Sequence, residues 1–182
     1  MKRILITGAN SYIGMSFERW MSQYSHNYVI ATLDMRDPSW QDKDLSLYDV
    51  VFHVAGIAHA DVSKVSDKTK QLYYDVNTNL TIQTAEKYKR DLKGKTGQFI
   101  FMSSIIIYGE ETNINKKRII TLNTEPNPSN FYGDSKLQAE IGISLINDDT
   151  FKVAILRPRM SYGAGSKGNY QQIKKIAKVF TG

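Results

Sequence analysis

The segment ILITGANSYIG, residues 4–14, has the pattern of a strand that turns into a helix around a phosphate group. A residue without a Cβ lets backbone N–H groups approach an anion, and Gly8 and Gly14 suit that role. Ser11 stands midway between them, where a third glycine is usual in such turns. We expect Ser11 to cap the helix with a negative φ, because Asn10 can take the left-handed part of the turn. The segment therefore predicts a phosphate-binding turn in which a small hydroxyl side chain replaces a glycine.

Short β-rich runs alternate with longer helical patterns along the rest of the chain. The predicted strands cover residues 3–7, 28–34, 50–55, 98–103 and 152–157. The predicted helices cover residues 11–24, 69–90 and 131–146, and the longest predicted loop covers residues 110–130. In the second helix, apolar residues recur at four-residue spacing, at Leu72, Val76 and Leu80. Because the strand runs are apolar almost throughout, they are typical of parallel strands covered on both faces. The pattern predicts an α/β fold, a doubly wound parallel sheet of the Rossmann type.

The composition is that of an ordinary globular domain, with 41% hydrophobic and 23% charged residues in a chain of 182. There is no cysteine, so we expect no disulfide, no thiolate metal site and no cysteine nucleophile. The net charge of +6 is spread along the chain, and its densest basic groups, at 116–118 and 167–178, are typical of solvated surface. We therefore predict a cytoplasmic protein with no nucleic-acid partner, no signal peptide and no membrane span.

A carboxylate stands where a dinucleotide-binding unit requires one. Asp34 ends the second predicted strand, about 20 residues after Gly14, and at that position a carboxylate accepts both hydroxyls of the adenosine ribose. The same charge repels a 2′-phosphate, so Asp34 favours NAD over NADP. Arg36, two residues later, weakens that preference. The alternative for Asp34 is a solvated strand end without a ligand.

Two further groups of residues carry chemistry. Tyr132 and Lys136 are four residues apart in a predicted helix, which places both side chains on one face. An ammonium group beside a phenol lowers the phenol pKa and makes tyrosine a usable general acid or base. Ser103 and Ser104 follow a predicted parallel strand, at the edge of the sheet where ligands bind in such folds. When it occurs alone, this spacing more often belongs to a packed tyrosine ring beside a solvated lysine than to a catalytic pair.

These motifs together resemble one protein family over essentially the whole chain. The matching segments are the TGxxxxxG turn, Asp34, VFHVAG, SSIIIYG, YGDSK and LRPRMSYG, in that order. The set resembles the extended short-chain dehydrogenase/reductases. Within them it is similar to the NAD-dependent epimerase/dehydratase family that acts on nucleotide sugars, and most similar to enzymes of capsular or O-antigen polysaccharide synthesis.

The resemblance implies a set of site residues. The implied catalytic residues are Ser104, Tyr132 and Lys136, with Ser104 preferred to Ser103 because the catalytic hydroxyl of the family stands four residues before the tyrosine matched by Tyr108. The implied NAD-binding residues are Gly8, Asn10, Ser11, Tyr12, Ile13, Gly14, Asp34, Ala55, Gly56, Asn77, Tyr132, Lys136 and Pro158. Arg157 and Pro158 are expected to flank the nicotinamide or the sugar.

The departures from the family pattern limit the reaction. Where the dehydratase branch has an acidic pair directly after the catalytic hydroxyl, this chain has Ile105 and Ile106. Elimination of water from a hexose needs a general acid and base, and isoleucine is neither. The resemblance then implies hydride transfer at a sugar hydroxyl carbon, most simply C4, by a 4-epimerase or a 4-keto reductase. The alternative is a catalytically silent NAD-binding sensor or scaffold domain on the same fold.

Two expectations concern histidines and domain organisation. His53 lies in a predicted strand and is expected to be a hydrogen-bonded core residue, with a catalytic role as the alternative for His53 and His59. Members of the family continue for about a hundred residues into a smaller substrate-binding domain. We therefore expect residues 1–182 to be an NAD-binding Rossmann domain that lacks most of that second domain. The expected partner is a nucleotide-sugar substrate, and a homodimer is compatible with the resemblance.

Overall fold

The computed structural model describes residues 1–58, 65–109, 119–159 and 163. Within them a five-stranded parallel sheet has the strand order β2-β1-β3-β4-β5. The strands are β1 (Lys2–Thr7), β2 (Tyr28–Leu33), β3 (Val50–His53), β4 (Gly97–Met102) and β5 (Phe151–Leu156). The predicted doubly wound parallel sheet is confirmed. Two predicted strands were too long, because β2 ends before Asp34 and β3 ends before Val54, where the chain turns into loops.

Four α-helices within the described residues connect and cover the strands. They are α1 (Tyr12–Met21), α2 (Asp67–Tyr73), α3 (Leu80–Leu92) and α4 (Phe131–Ser144). A π-helical segment, Tyr74–Asn79, joins α2 to α3, and short 3-10 segments cover Ser22–Tyr24, Pro38–Asp42, Leu45–Leu47 and Ile105–Tyr108. No helix within the described ranges combines the length and the apolar character needed to cross a membrane.

The core has a layer on each face of the sheet, because successive strand residues point to opposite faces. On one face, Leu5 and Phe99 pack with residues of α3 and α4 such as Tyr88 and Ile143. The residues that cover the other face include Ile4, Ile6, Phe52 and Met21, with Phe17 of α1 partly buried against them. Burial on both faces explains why the strands are apolar almost throughout.

The second predicted helix, residues 69–90, differs from the structure in shape and in its buried face. It is a continuous run of α2, the π-helical segment and α3, which begins two residues earlier and ends two residues later than predicted. The apolar spacing at Leu72, Val76 and Leu80 does not mark the core, since Leu72 remains 50% exposed. The fully buried positions include polar residues such as Asn77 and Thr81. Their hydrogen bonds stabilise this face, and a pattern of hydrophobic residues cannot reveal them.

The predicted loop 110–130 is only partly described, because residues 110–118 lie outside the described ranges. From residue 119 onward it contains a turn in which the Thr124 amide donates to the Thr121 carbonyl at 3.1 Å. The loop ends at Asn130, whose side chain accepts the Gly133 amide at 2.9 Å and so caps α4. This cap fixes where α4 begins, one residue before Tyr132.

Candidate active site

A cleft of about 580 Å³ opens beyond the carboxyl ends of β1, β3, β4 and β5. This is the edge of an open parallel sheet where ligands bind, at the point where the strand order reverses beside β1. Its described lining consists of Ser11, Tyr12, Ile13, Val54, Gly56, Ile57, Ala58, Met102, Ser103, Ser104, Ile105, Ile106, Tyr132, Lys136, Pro158 and Arg159. Lys136 and Arg159 are the charged residues in that lining, so the described walls carry positive charge and no carboxylate.

The turn after β1 has the geometry expected for a phosphate-binding turn. Gly8 has φ +93°, and a Cβ there would lie 2.7 Å from the backbone nitrogen of Ala55, so only glycine lets the turn approach the end of β3. Asn10 is left-handed with φ 65°. Ser11 has φ −73°, and its hydroxyl accepts the Gly14 amide at 3.1 Å. Ser11 is therefore the N-cap of α1, as expected.

Asp34 lies at the end of β2, and its carboxylate is held by Arg36. The guanidinium donates to both carboxylate oxygens, with a shortest distance of 2.6 Å, and the Arg36 amide donates at 3.0 Å. These hydrogen bonds lower the pKa of Asp34 to about 2, so it is ionised at neutral pH. The ion pair is solvent-exposed, which leaves both partners accessible to a ligand.

Ser104, Tyr132 and Lys136 come together in the cleft from two elements. Ser104 follows β4 and caps the 3-10 segment Ile105–Tyr108, and a hydrogen bond with its side chain lowers the pKa of Tyr132. Burial is the stronger effect and raises that pKa overall. We expected Lys136 to lower the pKa of Tyr132, and this expectation is wrong for the structure described here. The Lys136 ammonium donates to the Met102 carbonyl at 3.1 Å instead.

Lys136 is almost completely enclosed. Its ammonium lies 4.8 Å from the centre of the Phe101 ring and donates to the Met102 carbonyl. Burial lowers the pKa of Lys136 to about 8, while the nearby charge of Glu140 acts in the opposite direction. At pH 7 Lys136 is therefore mostly an ammonium, although it is much closer to deprotonation than an exposed lysine.

Asn77 supports the wall of the cleft from the π-helical segment. Its side-chain oxygen accepts the Ile57 amide at 2.8 Å, and its side-chain nitrogen donates to the Ile57 carbonyl and to Ser135, each at 3.1 Å. Asn77 is fully buried, so these bonds fix the loop after β3 to α4. Asn77 does not line the cleft itself. Of the other predicted residues in this region, Gly56 lines the cleft and Ala55 packs beneath it against Trp40.

His53 is a buried structural residue, as expected. The Thr81 hydroxyl donates to the Asn77 carbonyl at 2.8 Å, so it accepts from His53 Nε2, and Thr7 donates to Nδ1 at 2.7 Å. Complete burial, with the nearby charge of Lys136, lowers the pKa of His53 to about 3 and keeps the ring neutral. His59 lies outside the described residues.

A buried network behind the cleft was not predicted from the sequence. Ser103 donates a hydrogen bond to Glu140, and Arg157 donates to both oxygens of the same carboxylate, with a shortest distance of 2.6 Å. Arg157 also donates to the Tyr108 hydroxyl at 2.6 Å. Pro158 lines the cleft, whereas Arg157, expected to flank the ligand, is directed into this network. The only signal in the sequence was Glu140 at four residues after Lys136 on the same helix.

The parallel Rossmann sheet, the phosphate turn and the Ser104–Tyr132–Lys136 cleft define the class of short-chain dehydrogenase/reductase proteins. The chain belongs to the NAD-dependent epimerase/dehydratase family, whose model matches residues 4–181. A UDP-glucose 4-epimerase of Vibrio cholerae is 28% identical over an alignment of 194 positions, which covers 96% of this chain and 56% of that protein. The chain thus spans little more than half the length of that relative.

Two solved structures share the fold. UDP-glucuronic acid 4-epimerase from Bacillus cereus in complex with NAD is 23% identical, with a TM-score of 0.75 over 97% of this chain and 63% of that one. RMD from Pseudomonas aeruginosa complexed with NADPH is 22% identical, with a TM-score of 0.70 over 100% of this chain and 64% of that one. Proteins with this fold therefore bind either dinucleotide.

Proposed function

We propose that the protein is an NAD-dependent nucleotide-sugar epimerase or 4-keto reductase that transfers hydride at a sugar carbon, most simply C4. The observation that carries the proposal is the meeting of Ser104, Tyr132 and Lys136 in one cleft next to the phosphate turn. A hydroxyl, a phenol and an ammonium in one partly enclosed cleft are the groups that orient a sugar oxygen and transfer its proton. Family membership supports the same reaction class.

The residues of the first half of the sheet fit NAD. Gly8 lets the turn pack closely against the Ala55 backbone, the amides at the start of α1 can receive a diphosphate, and the ionised Asp34 suits the adenosine ribose. Lys136 and Pro158 would border the nicotinamide half of the dinucleotide. When bound, NAD supplies the hydride acceptor and donor. We further propose that residues 1–182 act as the NAD-binding part of the enzyme.

Tyr132 and Ser104 have different roles in the proposed proton transfer. Because burial raises its pKa, Tyr132 keeps its proton at neutral pH and is suited to donate it to the carbonyl oxygen of a keto sugar. Oxidation of a hydroxyl requires the phenolate, which the hydrogen bond with Ser104 favours because it lowers the pKa of Tyr132. Ser104 would donate a hydrogen bond to the same sugar oxygen and fix its position.

The lining also supports the substrate class. Ile105 and Ile106 line the cleft directly after Ser104, and neither can transfer a proton, so elimination of water is not the proposed reaction. The positive charges of Lys136 and Arg159 favour an anionic ligand, and a nucleotide sugar carries a diphosphate.

The test is a hydride-transfer assay on the protein and on a matched pair of variants. The protein is incubated with NAD and UDP-hexoses, or with NADH and a nucleotide 4-keto sugar, while nicotinamide absorbance and the product sugar are followed. We expect Tyr132→Phe to lower turnover at least about a hundredfold with NAD affinity nearly unchanged, since the phenol transfers a proton. Tyr74→Phe is the control, because the Tyr74 phenol donates to Asp134 outside the cleft lining. Flat absorbance with no new sugar would instead favour an NAD-binding sensor.

A further inference from the structure

Glu140 is a buried carboxylate that is paired with Arg157 and lies four residues after Lys136 on α4. It is 3% exposed, accepts a hydrogen bond from Ser103 and accepts both nitrogens of an Arg157 fork. A buried charge is strongly unfavourable unless it is paired and hydrogen-bonded, and these two partners meet that requirement. Arg157 is itself held from its other side by the Tyr108 hydroxyl and lies 5.5 Å from the centre of that ring. The position of the Glu140 carboxylate is therefore tightly fixed.

Glu140 and Lys136, both on α4, contact consecutive residues at the end of β4. They are four residues apart on α4, so their side chains lie on one face. Lys136 binds the Met102 carbonyl and Glu140 binds the Ser103 hydroxyl, the two groups directly before Ser104. The charge of Glu140 acts on the Lys136 ammonium and favours it over the neutral amine. The network therefore acts on the geometry of Ser104 and on the charge of Lys136 together.

Few other charges reach Lys136 among the described residues. From β3 it faces His53, which is neutral because burial lowers its pKa to about 3. From its own helix it faces Tyr132, whose pKa burial raises, and the Phe101 ring of β4 carries no charge. The remaining ionisable groups near this face are Tyr73 of α2, Tyr108 of the 3-10 segment and Arg157 after β5. Tyr12 and Arg159 share the cleft lining with Lys136, and neither is a carboxylate. Glu140 is thus the carboxylate that offsets the burial of Lys136.

We propose that Glu140 is a positioning residue of the site, whose buried carboxylate holds the strand end before Ser104 against α4 and keeps Lys136 in the ammonium form. Arg157 moderates this effect, because its charge offsets part of the field that Glu140 exerts on Lys136. The inference rests on the proposed function for the role of Lys136 in the reaction. The charge coupling itself does not depend on turnover.

The test titrates Lys136 directly in the cofactor-free chain. Lysine side chains labelled with ¹³C are followed by NMR as the pH is raised, and the Lys136 signal is assigned by its loss in Lys136→Arg. Glu140→Gln keeps the size of the side chain and removes its charge, so we expect the pKa of Lys136 to fall by on the order of one unit. Arg157→Gln removes the moderating cation, so we expect the pKa of Lys136 to rise.

A matched control lies at the opposite edge of the sheet. Asp91 forms a similar i,i+4 pair with Lys87 on α3, at 2.7 Å, and accepts the Leu45 amide before β3. Asp91→Asn makes the same carboxylate-to-amide change and should leave the pKa of Lys136 unchanged.

An unchanged or higher Lys136 pKa in Glu140→Gln would overturn the proposal. If Glu140→Gln does not fold, an unchanged or lower pKa in Arg157→Gln would overturn it. Absence of turnover in the assay above would count against the proposed function. It would not change the outcome of these titrations, which test the charge coupling separately.

Discussion

Residue 11 shows how a phosphate turn can carry a side chain. Ser11 has an extended backbone, with φ −73° and ψ 149°, and the left-handed conformation falls on Asn10. Asparagine tolerates that conformation better than most residues, so the turn avoids steric strain at position 11. The Ser11 hydroxyl accepts the Gly14 amide, one of the N–H groups that have no partner within α1. The side chain therefore stabilises the start of α1.

Two substitutions at Ser11 separate the capping role from the steric one. Ser11→Ala removes the cap and should lower the free energy of unfolding by about 1 kcal/mol, whereas Ser11→Gly should lower it by only a few tenths of that. Urea denaturation of both variants measures the difference. In titration calorimetry, Ser11→Gly should change NAD affinity by less than about tenfold, which is about 1.4 kcal/mol. A glycine variant that binds NAD much more tightly would show that Ser11 obstructs the turn.

A second residue-scale prediction concerns Asp34 and cofactor choice. Asp34→Ala removes two acceptors for ribose hydroxyls and frees the Arg36 guanidinium, which Asp34 now holds at 2.6 Å. NAD affinity should fall by on the order of tenfold, and NADP should improve relative to NAD because Arg36 can pair with a 2′-phosphate. Arg36→Ala in the same background is the control and should cancel the gain for NADP. If the unmodified protein already binds NADP more tightly than NAD, Arg36 governs the choice and the NAD preference is wrong.

At the scale of elements, His53 links its own strand, β3, to β1 and to α3. Its ring hydrogen-bonds Thr7 at the end of β1 and Thr81 in α3, while its backbone belongs to β3. The ring also stacks on Phe99 of β4, with centroids 5.5 Å apart. A neutral imidazole satisfies both threonines at once, one as acceptor and one as donor. Protonation would remove the acceptor that Thr7 uses.

This linkage makes stability depend on pH through His53. The folded pKa of about 3 lies below the unfolded value near 6.5, so the stabilisation is complete above pH 6.5 and is lost as the pH falls toward 3. Between about pH 6 and 5, His53 should contribute a slope of about 1.4 kcal/mol per pH unit to the free energy of unfolding. His53→Gln should remove that slope in denaturant titrations, whereas His26→Gln, at an exposed position, should retain it. An equal slope in both variants would contradict the prediction.

Elements with a strong hydrophobic signal could be predicted, and those held by buried polar groups could not. β1 and β5 begin and end within one residue of their predicted bounds, because an apolar run covered on both faces is unambiguous. The π-helical segment, Tyr74–Asn79, left no such signal, because its buried face contains Asn77 and is stabilised by hydrogen bonds to Ile57.

The same division holds for the site. The spacing of Tyr132 and Lys136, together with the hydroxyls after β4, predicted side chains that the structure brings into one cleft. Their chemical roles stay predictions. The ion pair between Glu140 and Arg157 escaped prediction, although Arg157 itself was expected near the ligand, because the two residues are 17 positions apart and meet only when α4 packs against the end of β5. The raised pKa of Tyr132 also depends on burial in the fold, which local spacing does not give.

At the scale of the whole molecule, the described residues that we assign to NAD belong to one sheet and the helices that cover it. The turn at Gly8, the carboxylate of Asp34 and the end of β3 lie side by side because β2, β1 and β3 are neighbours in parallel register. Lys136 and Pro158 complete the cleft from α4 and from the segment after β5. All of these positions are fixed by the core of the sheet itself, so we expect this chain alone to bind NAD.

Thermal unfolding with increasing NAD tests that expectation. A ligand that binds only the folded state stabilises it by RT ln(1 + [L]/Kd), which is about 2.7 kcal/mol at a ligand concentration one hundred times Kd. The unfolding midpoint of the chain should therefore rise steadily with NAD and rise less with NADP at equal concentration. Tyr132→Phe should retain most of the increase, because it keeps the aromatic ring beside the dinucleotide and removes only the hydroxyl that transfers a proton. Gly8→Ala should lose most of it, because the added Cβ would lie 2.7 Å from the Ala55 nitrogen and φ +93° disfavours any side chain. A midpoint that does not move with NAD in the unmodified chain, while the chain remains folded, would show that binding needs contacts beyond this sheet.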